Sequence, residues 1–278
     1  MSDIHIDARA PFHHTAALAL LAAHAIPGTE EIDGTSYRRA IAVEGRQTVV
    51  TLLLSNRGMT ASFDPPISDL EAAAAMVRAW FDLDTDTAAI DVTLSQDPRL
   101  ARLVRHQPGL RLIRYPDEFE AAAATVIGQQ VSLAAARTFA SRLVTAYGHK
   151  IKDLRAFPDA TTLARRGADE IQKCAGLTRA RARTLHEVAV RWADGPLLQG
   201  LPAHEARHAL PGIPGIGPWT ADYLLVRALQ HPDTFVPDDL VARRALGLEQ
   251  KAAAERSKAW APYRSYALLH LWTDAAYL

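Results

Sequence analysis

Two adjacent aspartates, Asp238 and Asp239, follow Pro237 and stand where a new helical pattern begins. A carboxylate near a helix start stays ionised, because the helix dipole and the unpaired N–H groups there favour an anion. It can then stabilise positive charge or orient a water. Upstream runs a Pro/Gly hairpin, Pro211-Gly212-Ile213-Pro214-Gly215-Ile216-Gly217. Gly215 and Gly217 can adopt positive φ and expose backbone N–H groups beside a helix start. Such a nest suits a phosphate, and an ordinary tight helix–helix turn uses the same glycines. Pro218 fits a first helical turn, where its missing N–H costs nothing. Trp219 and Tyr223 are four residues apart and share one face of the helix expected over residues 218–230. Residues 210–246 therefore read as a backbone-binding hairpin, an aromatic-bearing helix and a carboxylate delivered at the start of the next helix.

These groups need a scaffold. A chain of 278 residues is too long for one ordinary core and predicts two or three subdomains. Residues 1–100 read as an α+β domain: helices over 15–25 and 68–80, strands over 36–43, 46–54 and 58–63, and a turn at Glu44-Gly45. Ser68 is expected to cap the second helix, with Glu71 in the capping-box position. From Arg99 the chain turns Ala-rich and helical. Helices are expected over 117–127, 132–147, 160–165, 168–174, 178–194, 201–210 and 252–278, punctuated by Pro158, Gly167, Gly176 and Gly195. The fold class is mainly α: a small antiparallel sheet with helices in domain 1–100, then two helical bundles in 101–278 with a cleft between them.

Composition narrows the class. No apolar run reaches spanning length and the N-terminus lacks a signal-peptide pattern. The single Cys174 excludes an internal disulfide framework and a four-cysteine metal site. A cytoplasmic monomer without membrane contact is the expectation. Net charge is zero, but residues 1–98 carry 6 Lys and Arg against 14 Asp and Glu, which leaves the later part basic. That asymmetry fits a basic nucleic-acid face, and equally an unevenly charged solvated surface. The 11 histidines show no metal-ligand spacing.

Residues 210–225 resemble the helix-hairpin-helix of the base-excision DNA glycosylase superfamily, and Pro237-Asp238-Asp239 completes its hairpin–Gly/Pro–Asp signature. Further segments look like the bacterial 3-methyladenine DNA glycosylase II branch: residues 108–111 (PGLR), residues 127–132 (IGQQVS), and residues 262–272 (PYRSYALLHLW). The resemblance extends over nearly the whole chain. It implies that Asp239 is catalytic and Asp238 a cap. It implies that Trp219, Tyr223, Trp272 and Leu20 surround a base flipped out of double-stranded DNA. An aromatic cleft suits N-alkylated purines, whose positive charge attracts π faces and also weakens the glycosidic bond. It implies that Gly215, Gly217 and Thr220 contact DNA, and that Gln130, in the turn 128–131, is the wedge filling the gap left by the base. It implies no cofactor beyond a monovalent cation on the carbonyls of Pro211, Ile213 and Ile216.

Position 219 bears on the reaction type, and four others depart from the pattern of the bacterial relatives, Leu20 among them, where an aromatic counterpart is missing. Trp219 stands where lyase-competent members carry a nucleophilic lysine, so no Schiff base can form there. The expectation is a monofunctional hydrolase that leaves an abasic site. Gln130 replaces a leucine wedge, Pro218 replaces an arginine, and Leu240 replaces a tyrosine. The basic run Thr178-Arg179-Ala180-Arg181-Ala182-Arg183 could contact phosphates, but its spacing spreads the charges around a helix and reads rather as solvated surface. The alternative reading is a non-catalytic helix-hairpin-helix module that recognises damaged DNA.

Overall fold

The computed structural model describes residues 3–43 and 45–278. The first part is a five-stranded antiparallel sheet with helices on it. The strands are β1 (Asp3–Asp7), β2 (Glu30–Asp33), β3 (Ser36–Val43), β4 (Arg46–Ser55) and β5 (Gly58–Asp64), in the spatial order β1-β5-β4-β3-β2. The three longer strands lie where expected. Residue 44, in the turn expected between β3 and β4, lies outside the described residues. β1 and β2 are additions at the two edges. Each is short and half charged, so neither stands out by composition; pairing to β5 and β3 makes them strands.

Helix α1 (His14–His24) and helix α2 (Leu70–Trp80) cover this sheet. The cap of α2 is Asp69, which accepts from the Ala72 N–H at 2.8 Å, and not Ser68 as expected. Two helices follow that the sequence reading left out, α3 (Thr87–Leu94) and α4 (Pro98–His106). The helical region thus begins before residue 100.

The bundle then runs α5 (Glu118–Gly128), α6 (Leu133–Tyr147), α7 (Ala160–Ala164), α8 (Ala168–Ala175), α9 (Arg179–Trp192), α10 (Ala203–Ala209) and α11 (Pro218–Arg227). Asp117, Ser132, Asp159 and Thr178 each cap a helix by accepting the N–H three residues on. A two-stranded hairpin, β6 (Lys150–Ile151) and β7 (Leu154–Arg155), interrupts the run. After the aspartate pair comes α12 (Leu240–Leu246), and the stretch 252–278, expected as one helix, divides between α13 (Gln250–Ser257) and α14 (Arg264–Trp272). Pro262 lies between the last two, where its ring and missing N–H end a helix.

The cores divide the chain differently from its order. One core joins the sheet, α1 to α4, and α12 to α14. The other holds α5 to α10 and most of α11. Helix α11 belongs to both: Ala221, Leu224 and Leu225 face the bundle, while Val226, Trp219 and Tyr223 pack on the sheet-side core. Arg39 of β3 crosses between the bodies. It is buried, bonded to Glu30 at 2.5 Å and to both carboxylate oxygens of Glu120 on α5.

Candidate active site

Asp239 is the N-cap of α12, with φ −65° and ψ 120°. Its Oδ1 accepts from the Ala242 N–H at 2.8 Å and from the Trp272 indole N–H at 2.9 Å. Oδ2 has no partner in the chain among the described residues. One oxygen is therefore fixed by the fold, and the other is unengaged among the described residues. The cap is Asp239 itself; its neighbour Asp238 is exposed and caps nothing, contrary to the sequence expectation.

A cavity of about 250 Å³ opens at this carboxylate. Trp219, Tyr223 and Trp272 line it as expected. Trp219 and Tyr223 stack with centroids 5.1 Å apart and planes within 16°, and Tyr223 meets Trp272 at 5.6 Å. Trp272 is 3% exposed, so it is a floor and a donor to Asp239 more than an open face. Burial raises the Tyr223 hydroxyl pKa, against Arg227, with Asp239 adding to the rise.

Leu20 does not reach this cavity. It is buried in the sheet-side core beside Tyr37 and Trp80. The α1 residue at the wall is His24, one helical turn further on, whose Nε2 lies 3.1 Å from the Tyr277 hydroxyl. Burial, with Arg227 and Arg137 nearby, lowers the His24 pKa to about 3 and keeps the ring neutral. Helix α6 supplies the opposite wall through Leu133, Ala136, Arg137 and Ala140, spaced three and four apart on one face. Leu240 is 53% exposed and outside the cavity; Val241 lines it instead. His24, Arg137, Val241 and Tyr277 were not foreseen. Only the spacing along α6 carried a signal, because α1 is apolar on every side and shows no preferred face.

The hairpin between α10 and α11 separates Gly215 from Gly217. Gly215 has φ +89°, and a Cβ there would lie 1.9 Å from the Thr184 hydroxyl of α9. Gly217 has an ordinary φ of −95°, and a Cβ there would meet nothing within 4 Å. Only Gly215 takes the positive φ expected of both. The N–H groups of Gly215, Gly217, Trp219 and Thr220 find no acceptor in the chain among the described residues. The Thr220 side chain is buried and accepts from Gln129 Nε2 at 3.1 Å, so only the backbone of this residue is offered outward. The carbonyls of Pro211 and Ile216 have no partner in the chain among the described residues, whereas that of Ile213 accepts the Ile216 N–H at 3.0 Å and keeps one lone pair. Hard oxygen donors of this kind fit a monovalent cation. No group of three or more His, Cys, Asp or Glu side chains is placed to hold a metal among the described residues.

Gln130 is exposed at φ +56° in the turn between α5 and α6. Its neighbour Gln129 fastens the turn. Gln129 Nε2 donates to the Gly215 carbonyl at 3.1 Å as well as to Thr220, and Arg181 of α9 donates to the Gln129 carbonyl at 2.5 Å. Arg181 is therefore a brace, not the solvated charge expected of it; Arg179 and Arg183 are exposed. A larger cavity of about 860 Å³ lies between β3 and the loops flanking α5, α7 and α10, and includes none of these groups. Volume alone does not make it the site, because the carboxylate and the stacked rings converge on the smaller one.

Comparison with known proteins identifies the family. Residues 3–117 match the family described as the AlkA N-terminal domain, and residues 123–258 match the HhH-GPD superfamily of base excision DNA repair proteins. The chain is 36% identical to a Mycobacterium tuberculosis protein named probable bifunctional transcriptional activator/DNA repair enzyme AlkA, over 97% of this chain. It spans 56% of the length of that relative. It is 32% identical to the Escherichia coli DNA-3-methyladenine glycosylase 2, over 94% of both chains. The fold matches a 3-methyladenine DNA-glycosylase from Archaeoglobus fulgidus with a TM-score of 0.85, covering 98% of this chain and 97% of that one at 22% identity.

Proposed function

The chain belongs to the HhH-GPD superfamily of base excision DNA repair proteins, in its AlkA branch, and from that premise we propose that it is a DNA glycosylase releasing alkylated purines from duplex DNA by hydrolysis. The observation that carries the reading is the half-engaged carboxylate of Asp239 at the wall of a cavity lined by stacked aromatics. The free N–H groups at the start of α11 grip a backbone phosphate. A monovalent cation held by carbonyls of Pro211, Ile213 and Ile216 would add positive charge beneath that phosphate. Gln130, projecting from the braced turn, enters the gap as the damaged base leaves the stack. The base lies against Trp219 and Tyr223.

Cleavage of the C1′–N bond leaves positive charge on the sugar. Asp239 Oδ2 faces that charge while Oδ1 remains tied, so no reorganisation is needed at the moment of reaction. Water completes the hydrolysis. Trp219, in place of a nucleophilic amine, supports a monofunctional route that leaves an abasic site uncut.

Asp239→Asn keeps an oxygen for both hydrogen bonds and removes the charge. Release of 3-methyladenine is expected to fall by about a hundredfold or more, while binding to an abasic duplex persists. Base release at the wild-type rate in this variant would overturn the mechanism. If the wild type releases no base from methylated DNA yet binds it, the protein is a recognition module.

A further inference from the structure

A wall of the base cavity carries a charge that recognition of cationic bases does not explain. Arg137 lines the cavity from α6. Its Nε donates to the Ala25 carbonyl at 2.7 Å, and it has no carboxylate partner among the described residues. Behind it Arg227 is buried over the Tyr115 ring at 5.4 Å, also with no carboxylate partner there. His24, between them, is neutral. Asp239 is the one acidic residue lining the cavity. A cationic base in this space meets the half-buried guanidinium of Arg137, which disfavours it.

We propose that Arg137 is a specificity-determining residue that enables this pocket to expel uncharged purine lesions, by taking up negative charge on the departing base. The proposal rests on the glycosylase reading above. When the C1′–N9 bond of an N-alkylated, cationic purine breaks, its electron pair goes to the base and cancels the positive charge already there. When the purine is uncharged, the same electron pair makes it an anion. A guanidinium donating hydrogen bonds to its outer edge stabilises that anion until it takes a proton from water. The water that adds to C1′ gives up its own proton to solvent. Arg137 thus favours the second kind of leaving group and disfavours the first. Lesions of the favoured class carry an acceptor on the outer edge, as a 6-keto purine does.

The test is single-turnover base release from two duplexes, one with a single hypoxanthine and one with a single N7-methylguanine. The wild type releases both. In Arg137→Gln, which removes the charge but keeps a donor for Ala25, the ratio of hypoxanthine to N7-methylguanine release falls by on the order of tenfold. Arg137→Lys restores most of that ratio. A purely structural role lowers both rates together and leaves the ratio unchanged, and that result overturns the proposal. So does a wild type that releases N7-methylguanine and no hypoxanthine. A wild type that releases neither base sinks the glycosylase reading itself, and this inference with it.

Discussion

At the scale of single residues, the pair Asp239–Trp272 decides how the carboxylate is presented. The indole N–H holds Oδ1 at 2.9 Å and so fixes which oxygen is spoken for. Trp272→Phe retains most of the ring but deletes this donor. A hydrogen bond to a charged group is worth about 1.5–3 kcal/mol, so base release is expected to fall about tenfold to a hundredfold. Affinity for an abasic duplex, measured by fluorescence anisotropy, should be retained. A parallel loss of binding would show that Trp272 serves the pocket's shape and not the carboxylate. Spacing alone puts Trp219 and Tyr223 on one helix face and the aspartate pair at a helix start, while the choice of Asp239 over Asp238 came from the family resemblance. Leu20 was misplaced and His24 overlooked for a physical reason. Helix α1 is Ala- and Leu-rich on all sides, so nothing in its pattern says which turn meets the cavity. The position of Tyr277 depends on packing from the far end of the chain, which no local pattern records.

At the scale of elements, the hairpin and the turn between α5 and α6 form one braced unit on α9. Thr184 packs under Gly215, and Arg181 holds the Gln129 carbonyl. Gly215 and Gly217 should therefore respond differently to a methyl group. Gly215→Ala faces both a positive φ and the Thr184 side chain, and should cost about 1–3 kcal/mol of stability. Gly217→Ala meets neither obstacle and should unfold within about 0.5–1 kcal/mol of the wild type. Its added methyl nevertheless stands where a phosphate approaches the α11 start, so its DNA affinity should drop. Thermal unfolding and duplex titration of the two variants separate these effects; equal stability losses would contradict the assignment. Helix boundaries from 117 to 192 could be read closely in the sequence, because caps and glycines mark each one. The edge strands could not: β1 and β2 are strands only by virtue of their neighbours. The break at Pro262 was written in the sequence, and the Ala-rich stretch around it obscured it.

At the scale of the whole molecule, Arg39 ties the sheet-side body to the bundle. One guanidinium serves two carboxylates, Glu30 and Glu120, in a buried site. Burial, helped by the charge of Glu30 and opposed by Arg39, pushes the Glu120 carboxyl up from 4.5 to about 7. The folded state thus holds a proton more tightly than the unfolded chain. Between those two values unfolding releases that proton, so this group's contribution to stability falls as pH rises and levels off above about 7. Glu120→Gln should flatten that part of the profile, read as the change in unfolding midpoint between acidic and neutral buffer. An unchanged slope would place the proton elsewhere.

The division of the cores also has a consequence for how the chain is made. Apart from Ile26, the bundle core is drawn from one continuous stretch, so its contacts can form as soon as that stretch emerges from the ribosome. The sheet-side body is not continuous: its first half precedes the bundle, and α12 to α14 follow it. During synthesis α4 must wait, with the apolar face that meets α14 uncovered, until the last helices arrive. Contacts that close so long a loop are slow to form and expose the intermediate to aggregation. The base cavity, lined by both bodies, is then among the last features of the molecule to be completed.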